Sequence, residues 1–584
     1  MRRILPLVAL VVLLGGCSGG TAPVATPPSP ESVRQAQAFA TYLSARFAAG
    51  QHDMPEAARY YSQALQNDPG NPSLLALSFF YAPPPGVFAT AEKYAGQVVA
   101  ATSDDRAARL ALAVIGFKRK DYAEVRKNLS ASAKGPFTLL TLALFDAWAA
   151  AAQHDAPGVD KNIQTLMGQK GAESMGTFHG ALIADYLGGD AAAEAGYRKA
   201  LGTSAPTPRV LDAYGRFLER RGRGADAAAL YGKYANEVGL TTVVRPALAR
   251  LAARQKPDAL VRNPADGAAE ALFGIAASLT EAQSADVSIL YLRMALYLRP
   301  DLALAEVLLA DRFETLKKYD AAITIYREIS PESPYYRMAQ IQAALNAQRL
   351  GRSEDAVAGL RKLVAANPGD TEAWVAIGDI HRATEKYAEA IAAYDSAEKS
   401  LIQPARRDWP MFYARAMAKE RLKRLDDSEK DIEIALKLSP EQPELLNYLG
   451  YSWVDRGRRI DEALVMLEKA RSLRPYDGYI VDSVGWAYYK LGRYQDAAKT
   501  LQAAVLLVPG DPTINDHLGD AFWRTGRRIE ARFQWNHAIT FSKDEVEKAA
   551  IAAKLKTGLM NGQANGLTNG QANGVGQTPG RASP

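Results

Sequence analysis

The sequence has little of the chemistry that enzymes and metalloproteins use. One cysteine occurs among 584 residues, which excludes an internal disulfide and any zinc or iron–sulfur site built from several cysteines. Six histidines are present, and no two of them form a His-Glu-x-x-His pair. Phosphate-binding glycine loops, nucleophile elbows and dinucleotide fingerprints are absent as well. The sequence therefore predicts neither an enzyme nor a protein that binds a cofactor, a metal or a small-molecule substrate.

An excess of charge of one sign and a long hydrophobic run are also lacking. The chain carries 70 basic and 64 acidic residues, a formal net charge of +6, which is weak support for a nucleic-acid partner. Its hydrophobic fraction of 48% is that of a folded protein rather than of a disordered chain or a polytopic membrane protein. A chain of this length exceeds one compact core, so it predicts several domains or a repeat array.

The N-terminus has the features of an export signal. Two arginines precede an apolar run from Ile4 to Leu14, which is shorter than the about 20 residues that cross a bilayer but suits a secretory signal peptide. The run ends in Leu-Gly-Gly-Cys, with the cysteine at Cys17. An exported chain is not expected to meet nucleic acid.

This segment resembles the signal of bacterial lipoproteins. The resemblance implies that residues 1–16 are removed and that Cys17 becomes the lipidated first residue of the mature chain. Ser18 follows the cysteine in place of aspartate, which in such lipoproteins favours the outer membrane, with the protein facing the periplasm. The alternative is an ordinary signal peptide with an unrelated cysteine. Residues 17–30 are rich in Ser, Gly, Thr, Ala and Pro and predict a flexible tether.

Small residues recur along the chain at a fixed period. Gly450, Gly485 and Gly519 are separated by intervals of 35 and 34 residues. A small residue follows each of them about twelve positions later, and the same phase occurs earlier in the chain. These positions, predicted to hold two helices close together, are Gly378, Gly450, Gly485, Gly519, Ala463, Ala497 and Ala531.

A period near 34 residues with this pattern resembles the tetratricopeptide repeat, a helix-turn-helix unit. The apolar residues of each unit have helical spacing in two stretches, and a proline ends many of the units. We therefore expect an all-α, right-handed superhelical solenoid. Degenerate repeats are assigned to 31–240, a junction to 241–268, clear repeats to 269–541, a capping helix to 542–556 and a disordered tail to 557–584.

Repeat solenoids offer extended surfaces that usually hold other proteins. In tetratricopeptide arrays the first helix of each unit lines the concave side. This phase assigns to a partner-binding groove the aromatic residues Tyr413, Tyr451, Trp486, Tyr489 and Trp523. The alternative is that these rings pack against the neighbouring unit.

The predicted function is that of a membrane-anchored scaffold or adaptor in assembly or turnover of the cell envelope. The C-terminal units resemble those of repeat lipoproteins that recruit a periplasmic protease and bring peptidoglycan hydrolases to it. The alternative is a structural component of an outer-membrane export or pilus-assembly machine. A metal or catalytic site is least implausible at His517, Asp520 and His537. Arginine clusters such as 456–459 are interpreted as helix-end cations, or alternatively as a basic edge for an acidic partner or for lipid headgroups.

Overall fold

The described part of the chain is folded into helices. The computed structural model describes residues 29–559 except 52, 69–70, 72–73, 75–76, 79–80, 82–87, 203–206 and 239–241. No strand occurs among these residues, and the predicted all-α class is confirmed. None of the helices described is both long enough and apolar enough to cross a membrane. The predicted signal peptide, Cys17 and nearly all of the tether and tail lie outside the described residues.

The chain divides into two compact units, Met1–Tyr335 and Tyr336–Pro584. The described α-helices of the first unit are α1 (Pro30–Gly50), α2 (Met54–Asn67), α3 (Phe88–Ala101), α4 (Arg106–Arg119), α5 (Tyr122–Ser130), α6 (Pro136–Ala152), α7 (Ala156–Met167), α8 (Glu173–Tyr186), α9 (Asp190–Gly202), α10 (Pro208–Arg220), α11 (Gly224–Val238), α12 (Val244–Ala252), α13 (Pro264–Ser278), α14 (Ala285–Leu298), α15 (Ala303–Thr315) and α16 (Tyr319–Glu328).

The first unit contains contacts between helices far apart in sequence. Helix α13 packs against α6 as well as against its own partner α14. Gly267 on α13 makes this possible, because a Cβ at that position would overlap the ring of Trp148 on α6. The predicted junction, 241–268, therefore lies inside this compact unit and includes α12. The other predicted domain limits stay predictions.

One helix pair of the first unit was not predicted from the sequence. Helices α6 and α7 pack together as a hairpin. They lie within the predicted repeat region 31–240, but the period-34 pattern placed no individual unit at residues 134–173. Helix α6 is apolar on nearly all sides, and Leu144, Phe145 and Trp148 are fully buried in it. A helix that is apolar all round has no amphipathic periodicity from which a repeat can be identified.

The second unit is a regular series of helix pairs. Its described α-helices are α17 (Tyr336–Arg349), α18 (Ser353–Ala366), α19 (Thr371–Ala383), α20 (Tyr387–Ser400), α21 (Trp409–Arg421), α22 (Leu425–Leu438), α23 (Pro443–Asp455), α24 (Ile460–Leu473), α25 (Gly478–Lys490), α26 (Tyr494–Leu507), α27 (Pro512–Arg524), α28 (Arg528–Phe541) and α29 (Glu545–Thr557). Each odd-numbered helix from α17 to α27 packs against the next helix in sequence.

Four of the six described helix pairs of the second unit cross at the periodic glycines. A Cβ at Gly485 would lie 2.6 Å from Cγ of Leu501, and one at Gly450 would lie 2.8 Å from Cγ of Leu467. At Gly378 and Gly519 the neighbours are rings, those of Tyr394 and Trp535, at 2.5 Å. The partner positions Ala463, Ala497 and Ala531 are fully buried. Small residues thus let a large side chain of the second helix lie directly on the backbone of the first.

Helix α29 covers the end of the last helix pair. Lys554 on α29 is buried, and its Nζ donates to Oδ2 of Asp516 at 2.7 Å and to Oδ1 of Asp520 at 2.9 Å, both on α27. Ile551 is fully buried on the same side of α29. The end of the array is therefore closed by an apolar contact and an internal ion cluster.

We expect Gly519→Ala to destabilise the protein, because the new methyl group would overlap the Trp535 ring, which cannot move without losing its own contacts. Overpacking of this kind costs about 1 to 3 kcal/mol. The matched control is Gly359→Ala on α18, where nothing lies within 4 Å of the added Cβ. Since alanine favours helices by about 0.5 to 1 kcal/mol over glycine, the control should raise the melting temperature. Equal shifts for both variants in thermal denaturation would contradict the crossing described above.

Candidate partner-binding groove

The first helices of successive pairs in the second unit form one continuous face. Helix α19 contacts α17 and α21, and α25 contacts α23 and α27. The second helices lie behind them, each packed on its own first helix. We call the surface of α19, α21, α23, α25 and α27 that is not covered by second helices the inner face.

The structure places three of the five predicted groove aromatics inside the array. Trp486 is fully buried, and Tyr413 and Tyr489 are more than nine-tenths buried. Tyr451 and Trp523 are half-buried. The expectation that all five rings stand exposed on the groove is therefore wrong for Trp486, Tyr413 and Tyr489, because neighbouring units cover them.

Trp486 lies between two other rings. Its indole stacks on Tyr489 at 4.7 Å with an interplanar angle of 6°, and on His517 at 4.0 Å and 10°. Tyr489 belongs to the same helix, whereas His517 comes from α27 in the next pair. The Trp486 ring thus joins two successive helix pairs. This agrees with the alternative that the ring packs against the neighbouring repeat.

Tyr413 and Trp523 also contact rings of their own or neighbouring units. Tyr413 meets Tyr448 on α23 edge to face at 5.6 Å, and Trp523 lies 5.4 Å from Trp535. The guanidinium of Arg528 lies over Trp523 at 5.2 Å. These rings form part of the wall of the inner face. Whether any of the five contacts a partner stays a prediction.

His517 forms a buried ion pair with a residue that the sequence did not indicate. Its Nδ1 lies 3.0 Å from Oδ1 of Asp482 on α25, and both side chains are buried. Burial disfavours the imidazolium, but the attraction of Asp482 outweighs it, so the pKa of His517 is raised. His517 therefore helps to join α25 and α27.

A second buried cluster lies where α27 meets α28 and α29. Asp520 accepts hydrogen bonds from Nε1 of Trp535 at 2.9 Å and from Lys554. Burial raises the pKa of the Asp520 carboxyl to about 6, against the opposing effect of Lys554. His537 lies 4.5 Å from the ring of Phe533 on α28. The three residues considered for a metal thus have separate partners, and the described residues contain no group of three potential ligands that could hold a metal.

Asp455 is the most unusual carboxylate of the inner face. It is the last residue of α23, where the helix dipole disfavours a negative charge. The side chain is half-buried, and burial raises the pKa of its carboxyl in spite of Lys490 nearby. Among the described residues it has no hydrogen-bond or ion-pair partner, although charged residues elsewhere in this unit are mostly paired.

Other polar groups around Asp455 share this character. Burial raises the pKa of Asp511, the N-cap of α27, although its carboxylate accepts from the Ile514 amide at 3.0 Å. Two buried polar atoms of α23 and α25 have no hydrogen-bond partner within the described chain, namely Oδ1 of Asn447 and Nε1 of Trp486. Both atoms are inaccessible to solvent, so a partner on the surface does not reach them.

Sequence reasoning identified the helices of this face but not its polar residues. Asp455 could have been noticed, because an acidic residue at a helix C-terminus departs from the usual preference for cations there. The pair of Asp482 and His517 could not, since these residues lie 35 positions apart and meet only when two units stack.

The basic clusters form ion pairs between neighbouring helix pairs. Arg456 pairs with Asp426 at 2.7 Å and with Glu429 at 3.2 Å, and Arg220 lies 2.5 Å from Asp185. In the first unit, arginines also line a cavity of about 150 Å³. One of them, Arg250, pairs with Glu219, a buried carboxylate. The clusters thus bind carboxylates of adjacent helices.

We expect the stability of the second unit to depend on pH through His517. Because the folded pKa is raised, the ion pair stabilises fully below about pH 6.5, the unfolded value, and this contribution is lost as pH rises through the higher folded value. Raised carboxyl pKa values at Asp455, Asp511 and Asp520 act with the same sign, so the wild-type curve alone does not isolate the histidine. Thermal melts of wild type and His517→Gln between pH 5.5 and 8.5 provide the comparison. The loss of melting temperature with pH should be smaller in the variant, and parallel curves would refute the assignment.

Comparison with known families identifies the repeats of the second unit. A sequence model of the tetratricopeptide repeat matches residues 341–403, 413–477 and 485–543. A TPR repeat-containing protein of Pseudomonas aeruginosa is 35% identical over 139 residues, which are 23% of this chain and 23% of that protein. The chain thus spans about a quarter of the curated relative that it matches.

Solved helical-repeat proteins resemble the chain at low identity. The APC/C hetero-tetramer Cut9–Hcn1 has 16% identity and a TM-score of 0.37, with 91% of this chain and 98% of that chain covered. A tetratricopeptide repeat protein from Parabacteroides merdae has 12% identity and a TM-score of 0.34, covering 44% and 97%. The family match and the helix pairs lead to one conclusion: residues 341–403, 413–477 and 485–543 are tetratricopeptide repeats.

Proposed function

We propose that the protein is a lipid-anchored scaffold of the bacterial cell envelope, and that the inner face of its second unit binds a basic, extended segment of a partner protein. Tetratricopeptide repeats suggest a protein-interaction scaffold. The periplasmic location, the anchor and the nature of the partner segment are our proposal.

The observation that carries the binding mode is the unpaired carboxylate of Asp455. A half-buried charge without a partner costs free energy in the isolated protein. A lysine or arginine of a partner would form a partly desolvated, charge-assisted hydrogen bond there, which is stronger than one between neutral groups. A cation therefore stabilises this carboxylate by more free energy than it would stabilise a fully solvated surface carboxylate.

Tyr451 lies four residues before Asp455 on α23 and is half-buried. It supplies apolar surface beside the carboxylate for the side chains of the segment.

We expect Asp455→Asn to weaken partner binding while leaving or raising stability. Removing a negative charge from a helix C-terminus relieves about 0.3 to 1 kcal/mol, so the melting temperature should not fall. Loss of a charge-assisted bond at the partner should reduce affinity about tenfold. The partner would first be captured by crosslinking in cells, and its affinity for the purified variants would then be measured by calorimetry.

The matched control for this experiment is Asp461 on α24, an exposed carboxylate on a second helix. Asp455→Lys should abolish capture of the partner, whereas Asp461→Lys makes the same change of charge away from the inner face and should have no effect. Equal capture by both variants would show that the partner binds elsewhere.

The cellular setting is proposed from the N-terminal sequence. The lipoprotein-like segment ending at Cys17 supports an anchor in the outer membrane with the protein facing the periplasm. In this setting the partners would be a periplasmic protease and peptidoglycan hydrolases, held together during assembly or turnover of the envelope. The second candidate is a brace in an export or pilus-assembly machine. Identification of the crosslinked proteins distinguishes them, since a brace would capture pore subunits.

We expect Cys17→Ser to lose the covalent lipid and to leave the membrane fraction. Multiple acyl chains provide stable anchoring that protein side chains rarely replace. The measurements are incorporation of radiolabelled fatty acid and fractionation of washed membranes. A variant that stays in washed outer membranes would rule out Cys17 as the anchor.

A further inference from the structure

The first helix that the structure describes, α1, has an apolar stripe that no other described residue covers. Phe39, Leu43 and Phe47 on α1 are exposed by 63%, 49% and 72%. They are spaced four residues apart and so lie on one side of the helix. The opposite side of α1 packs against α2 through Ala45 and Ala48, which are buried. Helix α1 is therefore apolar on two sides, of which only one contacts other residues in the described part of the chain.

The other terminal helix differs in this respect. On α29 the exposed positions are Glu545, Val546, Ala549, Ala553, Lys556 and Thr557. Only one of them is a large apolar residue, as expected of a helix that ends a solenoid against water. The stripe of α1 is thus a specific property of that helix, and end position alone does not explain it.

The surroundings of the stripe suit an apolar environment. A groove of about 550 Å³ between α1 and α2 continues it, with Leu43, Phe47 and Tyr60 in its wall. The carboxylates beside this groove already have hydrogen-bond or ion-pair partners. Asp53 accepts from the Glu56 amide at 3.2 Å, and Glu56 pairs with Arg59. Transfer of the phenylalanines into an apolar environment would therefore not desolvate an unpaired carboxylate of the groove.

We propose that the stripe formed by Phe39, Leu43 and Phe47 lies on the lipid surface to which the chain is anchored, so that α1 rests along the membrane. This inference depends on the proposed attachment of lipid at Cys17. The twelve residues between Cys17 and α1 reach at most about 40 Å when fully extended and roughly 20 Å on average for a flexible chain. The bilayer is thus the apolar surface that α1 meets at the highest effective concentration.

Three apolar side chains alone give a weak and reversible attachment. The anchor supplies retention, and the stripe supplies orientation. This is consistent with the expectation that an unlipidated chain leaves washed membranes.

The test uses the only thiol of the chain. The mature protein, beginning at Cys17, is coupled through that cysteine to a maleimide-phosphatidylethanolamine in vesicles of phosphatidylethanolamine and phosphatidylglycerol with brominated acyl chains. Phe47→Trp then serves as a depth probe, read as the difference from the parent protein. The control probe is Ile529→Trp, which is on α28 and is 85% exposed.

We expect the added indole at residue 47 to lose at least half of its emission and the one at residue 529 to stay unquenched. Replacing all three stripe residues by serine in the unlipidated Cys17→Ser chain should weaken its partition into the same vesicles about tenfold, whereas Ile529→Ser should not. The stripe variants should melt as the parent does, since the replaced side chains are exposed.

Equal quenching of the two probes would overturn the inference, because the anchor is then imposed chemically and its presence is certain. A concentration-dependent dimer in solution that the serine variant abolishes would also overturn it, since a second copy would then cover the stripe. Failure of the proposed lipidation is seen separately, as an unmodified N-terminal peptide in mass spectra of protein from the cell envelope.

Discussion

The packing of a large side chain onto a bare helix backbone is the interaction on which the second unit depends. At four of the six crossings, a glycine on the first helix lies against a leucine, tyrosine or tryptophan of the second. Because this contact is made within one helix pair, it fixes the crossing angle of that pair independently of the contacts with neighbouring pairs. The repeated angle then places every first helix on the same side, and the inner face is the result.

Charged groups have a different role from the apolar crossings. The crossings act within one helix pair, whereas the buried ion pairs connect one helix pair to the helix that follows it. These ion pairs are Asp482 with His517, and Asp516 with Lys554. Such pairs add less to stability than their geometry suggests, since desolvation opposes them. They do specify which helix lies next to which. Asp455 breaks this pattern, and the exception lies on the face proposed to bind a partner.

Much of the second unit could be predicted from the sequence. The period of the small residues predicted that Gly378, Gly450, Gly485 and Gly519 hold two helices close together, and the structure has a helix crossing at each of them. The depth of Trp486 could not be predicted, because its burial depends on His517 from the next unit. Helix α6 was missed because it is apolar on nearly all sides and has no amphipathic pattern. The contact of α13 with α6 depends on Trp148, a long-range neighbour that periodicity does not indicate.

The ion cluster at Lys554 sets a sharp limit on where the folded array can be cut. Lys554 lies three residues before Thr557, the last residue of α29, and at Gly558 the backbone turns with a φ of 71° beside the Trp523 ring. A protease that cut α29 before Lys554 would leave the buried carboxylates of Asp516 and Asp520 without a cation, a loss of several kcal/mol. Fusion partners and affinity tags placed after residue 559 keep the cluster. An expression boundary before Lys554 would remove the cation that holds α29 on α27, although it shortens the chain by only a few described residues.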